Sequence, residues 1–540
     1  MKVKQIAILA TILFLSLFLR FYKLNTIPFG LNLDEASMGY NAYSLLETGK
    51  DRYGQAFPII FRSFGSFQAP LYTYLTVPAV LFFGNTIFAV HFVAALSGFI
   101  LIVTTFLIAY TGLKQNFNLA ILVTSIVGFA PWSVLFTRFG TEASLGVAVF
   151  VLSVYLFIKA LDNKLFFIPA SFFSGIATHA YYSERVISIF FYVGFISLFY
   201  KKLFMNKRWI ILGMIIFALT LLPHLIIVES GAFTRRLDQV NYFSQETFLN
   251  QGENLRYVPL GRSIYILREF LSQYITYFSP KNLFFDADPQ IARSIPDLSV
   301  FYSWMVVPYL FSIYYFYKNR FLPLVKILIL IIIISPIPAA LTRDPFYTLR
   351  TLIFLWTISF AIALGIYHFL LSIPKFYQRA GLILPFIVFS IMSLYISYFI
   401  LFKYERAENF GYSYMKAAEF IDQNKKYSQK KFVIDNPRDL GAGVRIAYFK
   451  KYDPIQLQQV LQPQVSNQYY SSIEFEEVQK VNNIDARPIF WEKDVKIDQI
   501  LVGDSLAISD EQIREHKLKF EFEIRDLTGK VSLKGYSTTP

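Results

Sequence analysis

Leu31-Asn32-Leu33-Asp34-Glu35-Ala36-Ser37-Met38-Gly39-Tyr40 is the stretch on which the reading of this chain turns. Two adjacent acids, Asp34 and Glu35, open an amphipathic segment shortly after a long apolar run, residues 6–19. Lys2 and Lys4 precede that run, as in a signal peptide, but no small-residue cleavage site follows; Arg20-Phe21-Tyr22-Lys23 does. The run is therefore read as an uncleaved first membrane helix. The acid pair then falls just beyond the far end of that helix, at the bilayer surface.

The rest of the chain supports a membrane setting. Of 540 residues, 55% are hydrophobic and 16% charged, with a mean hydropathy of +0.44, whereas a soluble domain carries roughly 25% charged residues. The deficit lies in repeated apolar runs near 6–22, 86–112, 117–137, 141–161, 165–180, 185–200, 209–228, 299–317, 321–341, 347–371 and 380–402. These predict about eleven spanning helices, the fifth and sixth short enough to form a tight hairpin. Phe (58) suits a lipid-facing surface and Tyr (36) the headgroup level; an AT-rich codon bias is the alternative source of the excess. With no cysteine, disulfides, thiol nucleophiles and Cys-metal sites are excluded.

The net charge of +14 is explained by where the cations fall. With the N-terminus inside, the cytoplasmic segments collect Lys2, Lys4, Lys114, Lys159, Lys164, Lys201, Lys202, Lys207, Arg208, Lys318, Arg320, Lys375 and Arg379 against the acid Asp162. This is a positive-inside pattern, so the basic balance points to the lipid bilayer and not to nucleic acid. The opposite face receives 23–85, 138–140, 181–184, 229–298, 342–346 and the tail, with Asp34, Glu35, Glu184, Glu229, Asp286, Asp288 and Asp344. The expected location is the plasma (inner) membrane, with the N-terminus cytoplasmic and the C-terminal region extracytoplasmic.

The expected fold class is an α-helical polytopic membrane region, 1–403, followed by a small soluble α/β domain, 404–540. Outer loop 23–85 should hold two interfacial helices, near 35–48 and 69–83. Outer loop 229–298 is polar and aromatic, and a loop of that length is usually functional or disordered; its aromatic content favours order. After residue 402 the composition turns to Lys, Glu, Asp and Gln, with alternating stretches such as Lys431-Phe432-Val433-Ile434-Asp435.

Four constellations could carry chemistry. Asp34 and Glu35 are either first-turn acids of a helix or a general base at the membrane surface with a supporting neighbour. Arg138-Phe139-Gly140-Thr141-Glu142 is either a snorkelling pair or an arginine that meets an anionic ligand, braced by Glu142. His179-Ala180-Tyr181-Tyr182-Ser183-Glu184-Arg185 is the densest polar cluster among the spans. It is either an interfacial hairpin or a substrate site, with His179, Tyr182, Glu184 and Arg185 as its binding residues; as a metal site it lacks a third ligand. Pro338-Ala339-Ala340-Leu341-Thr342-Arg343-Asp344-Pro345, followed by Arg350, is either a turn with a local Arg343–Asp344 pair or a clamp for a lipid phosphate. His224 and His368 are isolated in sequence and read as structural. No Walker A loop or nucleophile elbow is present.

In this order the parts resemble the GT-C fold of polyprenyl-phosphate-sugar-dependent glycosyltransferases, over roughly residues 1–405. The nearest branch resembles the superfamily of protein O-mannosyltransferases and lipid A aminoarabinose transferases. Ala130-Pro131-Trp132 followed by Arg138-Phe139, the string Tyr181-Tyr182-Ser183-Glu184-Arg185, and Ala339-Ala340-Leu341-Thr342-Arg343-Asp344 followed by Arg350 resemble a bacterial branch within it. The resemblance implies an inverting transfer outside the cytoplasm. The partners it implies are a polyprenyl-phosphate-linked sugar donor and a lipid, glycan or protein acceptor. It implies Asp34 as the general base, or beside it, Glu35 in support, and Arg138 as the family's arginine after the third span. That Arg343 and Arg350 stabilise the departing phosphate is read from their charge. No cofactor is called for with certainty, and a divalent cation is left open. The Trp-Trp-Asp-Tyr-Gly string of oligosaccharyltransferases is absent, which argues against peptide N-glycosylation. Two other readings stand beside this one: a transporter or flippase, for which Pro336 and Pro338 would break the ninth span, and a non-catalytic polyprenyl-phosphate-binding protein.

Overall fold

The computed structural model describes residues 2–539 apart from 245–247, 249, 251–252, 256, 345, 428, 466–467 and 472–479. The chain divides into two compact units, Met1–Tyr22 with Ala94–Tyr398, and Lys23–Val93 with Phe399–Pro540. Loop 23–85, grouped above with the spans, thus belongs with the C-terminal region.

The first unit is helical. Seven stretches among the described residues are long and apolar enough to cross a membrane: Val3–Phe21, Ile87–Gly112, Glu142–Asp162, Tyr182–Val228, Pro323–Ala340, Thr348–Leu371 and Tyr377–Glu405. Tyr182–Val228 is interrupted by a 3-10 turn at Phe204–Asn206, so it holds two of the expected spans. The third, fifth and eighth expected spans hold the shorter helices Phe117–Phe129, Phe167–Ala177 and Val306–Lys318. The third is cut at Ala130 because Pro131 has no N–H to continue the ladder and opens the next short helix, Pro131–Phe136. Likewise Pro336 and Pro338 follow the end of Pro323–Ile334, before the single turn Ile337–Ala340.

Burial sorts these helices. In the most apolar 18 residues of Thr348–Leu371, 89% are buried, whereas in those of Val3–Phe21 only 11% are, so that helix offers its apolar surface outward. Helix Leu352–Leu371 packs against Val306–Lys318 and Phe117–Phe129. The first of these contacts is tight enough to require glycine. A Cβ on Gly365 would sit 2.0 Å from the carbonyl oxygen of Pro308, the small-residue packing by which apolar helices approach each other.

The second unit is α/β. Helices Leu33–Thr48 and Pro70–Phe83, in the two expected interfacial positions, pack together beside a hairpin of β1 (Phe61–Ser63) and β2 (Ser66–Gln68). The C-terminal region adds a six-stranded sheet in the order β4-β5-β3-β6-β8-β7. Its strands are β3 (Lys431–Ile434), β4 (Lys480–Val481), β5 (Ile484–Ala486), β6 (Gln499–Gly503), β7 (Lys519–Arg525) and β8 (Val531–Ser537). β3 runs parallel to both β5 and β6, and the remaining pairs are antiparallel. One core joins loop and sheet, with Leu31, Ala36 and Tyr40 packed among Phe432, Ile446, Tyr448 and Ile500. Gly39 permits the closest approach: a Cβ there would lie 2.9 Å from Val90 and 3.1 Å from the Tyr448 ring.

The same unit buries Asp51. Its Oδ1 accepts the backbone N–H groups of Tyr53 and Gln55, each at 2.9 Å, and its Oδ2 accepts the Tyr469 hydroxyl at 2.6 Å. Burial pushes this carboxyl up to about 6 from an ordinary value of 3.8, against the pull of those hydrogen bonds.

Two outcomes follow for the purified, detergent-solubilised protein. Gly365→Val should lower its melting temperature through an overpacking cost on the order of 3 kcal/mol. Gly381→Ala, where a Cβ meets nothing within 4 Å, serves as the neutral control; equal melting of both variants would refute the tight contact. Because the folded Asp51 carboxyl holds its proton to higher pH than the unfolded one, it lowers stability as pH rises from about 4 to about 6 and contributes no slope above that. Asp51→Asn should therefore match the wild type near pH 4 and exceed it at pH 7 by roughly 2–3 kcal/mol, read from melting curves at the two pH values.

Candidate active site

In the second unit the two neighbouring acids are treated very differently. Both belong to helix Leu33–Thr48, which opens with a capping box: Asn32 Oδ1 accepts the Glu35 N–H at 2.9 Å, and Glu35 Oε2 accepts the Asn32 N–H at 2.7 Å. Glu35 is fully buried, and its Oε1 lies 2.8 Å from Nε2 of buried His91. The approach is close, but its angle is off-line for a hydrogen bond. Nδ1 of His91 faces the carbonyl of Leu24 at 3.1 Å, and since a carbonyl only accepts, that nitrogen carries a proton. Glu35 thus accepts from Asn32 on one oxygen and has His91 beside the other.

Asp34, one residue earlier, turns outward and is exposed. Gln68, on β2, donates from Nε2 to Asp34 Oδ1 at 3.1 Å and to the Asp34 carbonyl at 3.3 Å. Its own Oε1 accepts the Ser37 hydroxyl at 2.9 Å, and Ser37 Oγ in turn accepts from Arg52 Nη1 at 2.8 Å. Gln68, Ser37 and Arg52 are buried. A solvent-facing carboxylate is thus oriented by a chain of groups set in the core. Arg445, on helix Ala442–Phe449, holds the approach to this helix by donating from Nε to the Leu31 carbonyl at 2.6 Å; its Nη1 is paired with Asp439.

In the first unit, Arg138 is buried at the carbonyl end of the first helix. Nη1 donates to the carbonyls of Leu19 and, at 3.0 Å, Arg20; Nη2 donates to that of Tyr22 at 2.7 Å; Nε donates to the Tyr398 hydroxyl at 3.2 Å. A cation there satisfies carbonyls that have no partner within the helix.

The hairpin after helix Phe167–Ala177 gathers several expected residues. The Arg185 guanidinium lies 4.2 Å from the Tyr182 ring and 4.6 Å from the Phe233 ring, and Nη1 donates to the Phe233 carbonyl at 3.0 Å. Among the described residues its Nε and Nη2 lack a hydrogen bond of good geometry, although the Tyr182 side chain is close enough to interact with the guanidinium. Glu184 is buried against Gly146, where a Cβ would come within 2.7 Å of Oε1, and Oε2 makes no hydrogen bond among the described residues. Glu142, at the start of Glu142–Asp162, lies within electrostatic range of Tyr182 and Arg185. His179 and His224 are not isolated from each other, as the sequence spacing suggested. Their rings stack at 4.1 Å, with His179 Nε2 on the Thr220 carbonyl at 2.7 Å and His224 Nε2 against Thr178 Oγ1 at 2.9 Å.

The fourth constellation is completed by a residue that the sequence reading did not single out. The Tyr347 ring lies between two guanidinium groups, Arg293 at 3.4 Å and Arg350 at 3.8 Å from its centroid. Arg293 pairs with buried Asp288 at 3.1 Å, and Asp288 Oδ2 accepts the Thr348 hydroxyl at 2.6 Å. Arg350 Nη1 donates to Thr342 Oγ1 at 2.6 Å. Tyr181 lies within electrostatic range of Tyr347, Arg350, Glu184 and Glu142, which links this cluster to the hairpin. Arg343 stands apart: its side chain is exposed, and its N–H pairs with the Val240 carbonyl at 3.1 Å. Asp344 is half-buried, in electrostatic range of Arg293, and Pro345 lies outside the described residues.

The groups missed in sequence left partial signals. His91 lies in an apolar helix, where an ionisable residue marks a partner or a site. Arg293 and Asp288 lie in the long loop 229–298. Gln68 and Arg52 left none, because only the hairpin brings them to helix Leu33–Thr48. Among the described residues no three His, Asp or Glu side chains gather as metal ligands would.

No family model matches the chain, and no curated protein matches it significantly. Among solved structures it is similar to ArnT from Cupriavidus metallidurans. In the form bound to undecaprenyl phosphate the identity is 11%, the TM-score 0.53, and the match covers 99% of this chain and 97% of that one. In the apo form the identity is 10%, the TM-score 0.52, and the coverage the same. The oligosaccharyltransferase AglB from Archaeoglobus fulgidus, in complex with an inhibitory peptide and a dolichol-phosphate, is 13% identical with a TM-score of 0.49, over 99% of this chain and 74% of that one. The likeness to ArnT establishes the fold: the expected GT-C architecture, in a multi-pass membrane protein.

The pairing of Glu35 with His91 has a measurable consequence. His91→Leu removes the imidazole beside a buried carboxyl and should lower stability by about 3–5 kcal/mol, while Glu35→Gln combined with His91→Leu should recover much of that loss. Additive losses in the double variant, measured by thermal melting, would show that the two side chains are not coupled.

Proposed function

We propose that this protein is a membrane glycosyltransferase that moves a sugar from a polyprenyl-phosphate carrier to an acceptor hydroxyl, with inversion at the transferred carbon. The observation that carries the reading is the contrast at residues 34 and 35: within the expected GT-C fold, Asp34 presents an exposed carboxylate oriented by Gln68, while Glu35 is locked in the core. The likeness to ArnT bound to undecaprenyl phosphate supports a lipid-phosphate donor.

In this mechanism Asp34 accepts the proton of the acceptor hydroxyl. The freed oxygen attacks the anomeric carbon on the face opposite the phosphate, and the carbon–oxygen bond to the phosphate breaks as the new glycosidic bond forms. The leaving group is already a phosphate oxygen, so its departure calls for neutralisation of charge more than for a strong acid. Arg350, flanking Tyr347 with Arg293, and buried Arg185, stacked on the Tyr182 ring, are the groups we assign to that charge. Arg343 adds an exposed cation. Glu35, Arg138, Glu142 and Glu184 act as positioning residues, and His179 and Tyr182 line the donor. The acceptor is a lipid, a glycan or a protein. The N-terminus is assigned to the cytoplasm of an inner membrane and residues 404–540 to the opposite side.

The test is transfer from radiolabelled polyprenyl-phosphate sugars in membranes that carry the full-length protein. Asp34→Asn should lower the rate by on the order of 10²-fold or more, as for loss of a general base. Gln68→Leu, which leaves the carboxylate in place without its orienting donor, should cause a smaller loss in kcat with little change in KM. Equal rates for wild type and Asp34→Asn would remove Asp34 from the reaction.

A further inference from the structure

At the opposite end of helix Glu142–Asp162 from Glu142, about 30 Å away along its axis, the first unit carries a half-open cavity of about 410 Å³. Its polar lining is Thr111, Lys114, Asn116, Asp162, Lys202, Tyr315, Tyr367 and His368. The rest is apolar, with Leu113, Ile158, Leu161, Leu324 and Ile327 among the walls. None of these residues belongs to the active-site clusters.

Four features make this an anion site with a hydrophobic flank. Lys114 has no ion-pair or hydrogen-bond partner among the described residues, and Lys202 is held only by Asp162, at 3.2 Å, in a pair exposed on both sides. Lys114 is presented by unusual backbone: it and Gln115 both take left-handed φ, +55° and +60°. That conformation is costly for two successive residues other than glycine and tends to persist where a site requires it. Two helices begin at the cavity, Phe117–Phe129 and Pro323–Ile334, and the second has no side chain capping its first turn, so backbone N–H groups remain for an anion. Asn116 Nδ2 donates to the Tyr367 hydroxyl at 2.7 Å, and His368 lies 4.5 Å from the Tyr315 ring, which fixes the polar wall.

We propose that this cavity binds the phosphate headgroup of an anionic lipid, with Lys114 and Lys202 on the phosphate and the apolar wall along the first carbons of the chain. An inorganic anion would leave that wall without a role. The site is separate from the proposed donor site and does not depend on the glycosyltransferase reading.

The experiment uses the full-length protein in phosphatidylcholine nanodiscs, titrated with short-chain phosphatidic acid and with farnesyl phosphate, with binding read by native mass spectrometry. Both probes should bind, and each lysine removed in Lys114→Gln and Lys202→Gln should weaken binding about fivefold. The Arg350→Gln protein should keep this binding. Unchanged affinity in the double lysine variant overturns the proposal, as does loss of all binding in Arg350→Gln alone. Full competition by inorganic phosphate at equal concentration overturns the lipid assignment and leaves a free-anion site. A photoactivatable phosphatidic acid provides a readout without any variant: cross-links at 111–119 or 322–327 in the wild-type protein support the site, and cross-links confined to other segments overturn it.

Discussion

Arg445 donates to the carbonyl of Leu31 at 2.6 Å, and the acid-bearing helix depends on that bond for its direction. Leu31 precedes the capping residue Asn32, so its carbonyl sits where the chain turns into helix Leu33–Thr48. A buried carbonyl without a donor would cost about 1–3 kcal/mol. The donor comes from a residue more than four hundred positions later, on a helix that follows the central strand of a sheet. Segment 23–85 is therefore tied in the folded state to the C-terminal sheet region. Tyr40 and Asn85 bind the same region through the carbonyls of Tyr452 and Tyr448.

The same requirement, that buried polar groups find partners, governs the helical unit. Arg138 is spent on the carbonyls that end the first helix. Arg20 is buried too, with Nη1 on the carbonyls of Ser16 and Gly128 and Nη2 on the hydroxyl of Ser133, while its Nε has no hydrogen bond among the described residues. Among the described residues, the buried groups that lack a hydrogen bond of good geometry include Nε and Nη2 of Arg185, Oε2 of Glu184 and Oε1 of Glu142. Groups left unsatisfied in an apolar unit are expensive, and several lie in or beside the hairpin that the sequence marked as its densest polar cluster.

Much of the architecture was legible because apolar length and charge asymmetry are local properties. Helices near 35–48 and 69–83 followed from Pro70 and from the spacing of polar and apolar residues, and they occur as Leu33–Thr48 and Pro70–Phe83. The candidate site was legible only in part. Asp34 and Glu35 look equivalent in sequence, and the division between them rests on Gln68 and His91, neither of which is near in the chain. The stacking of His179 on His224 and the place of Arg293 beside Tyr347 depend likewise on helices and loops that meet only on folding.

By itself, the sequence determined that this chain enters a membrane repeatedly, where its cations lie relative to the apolar runs, and that an acid pair follows the first of them. Those are consequences of transfer free energy, which sums along the chain without regard to fold. Tertiary structure decided which acid faces solvent, which arginines are consumed by backbone carbonyls, and that loop 23–85 shares a core with residues beyond 399. Those outcomes depend on directional bonds a few ångströms long between residues far apart in sequence, and no local pattern encodes them.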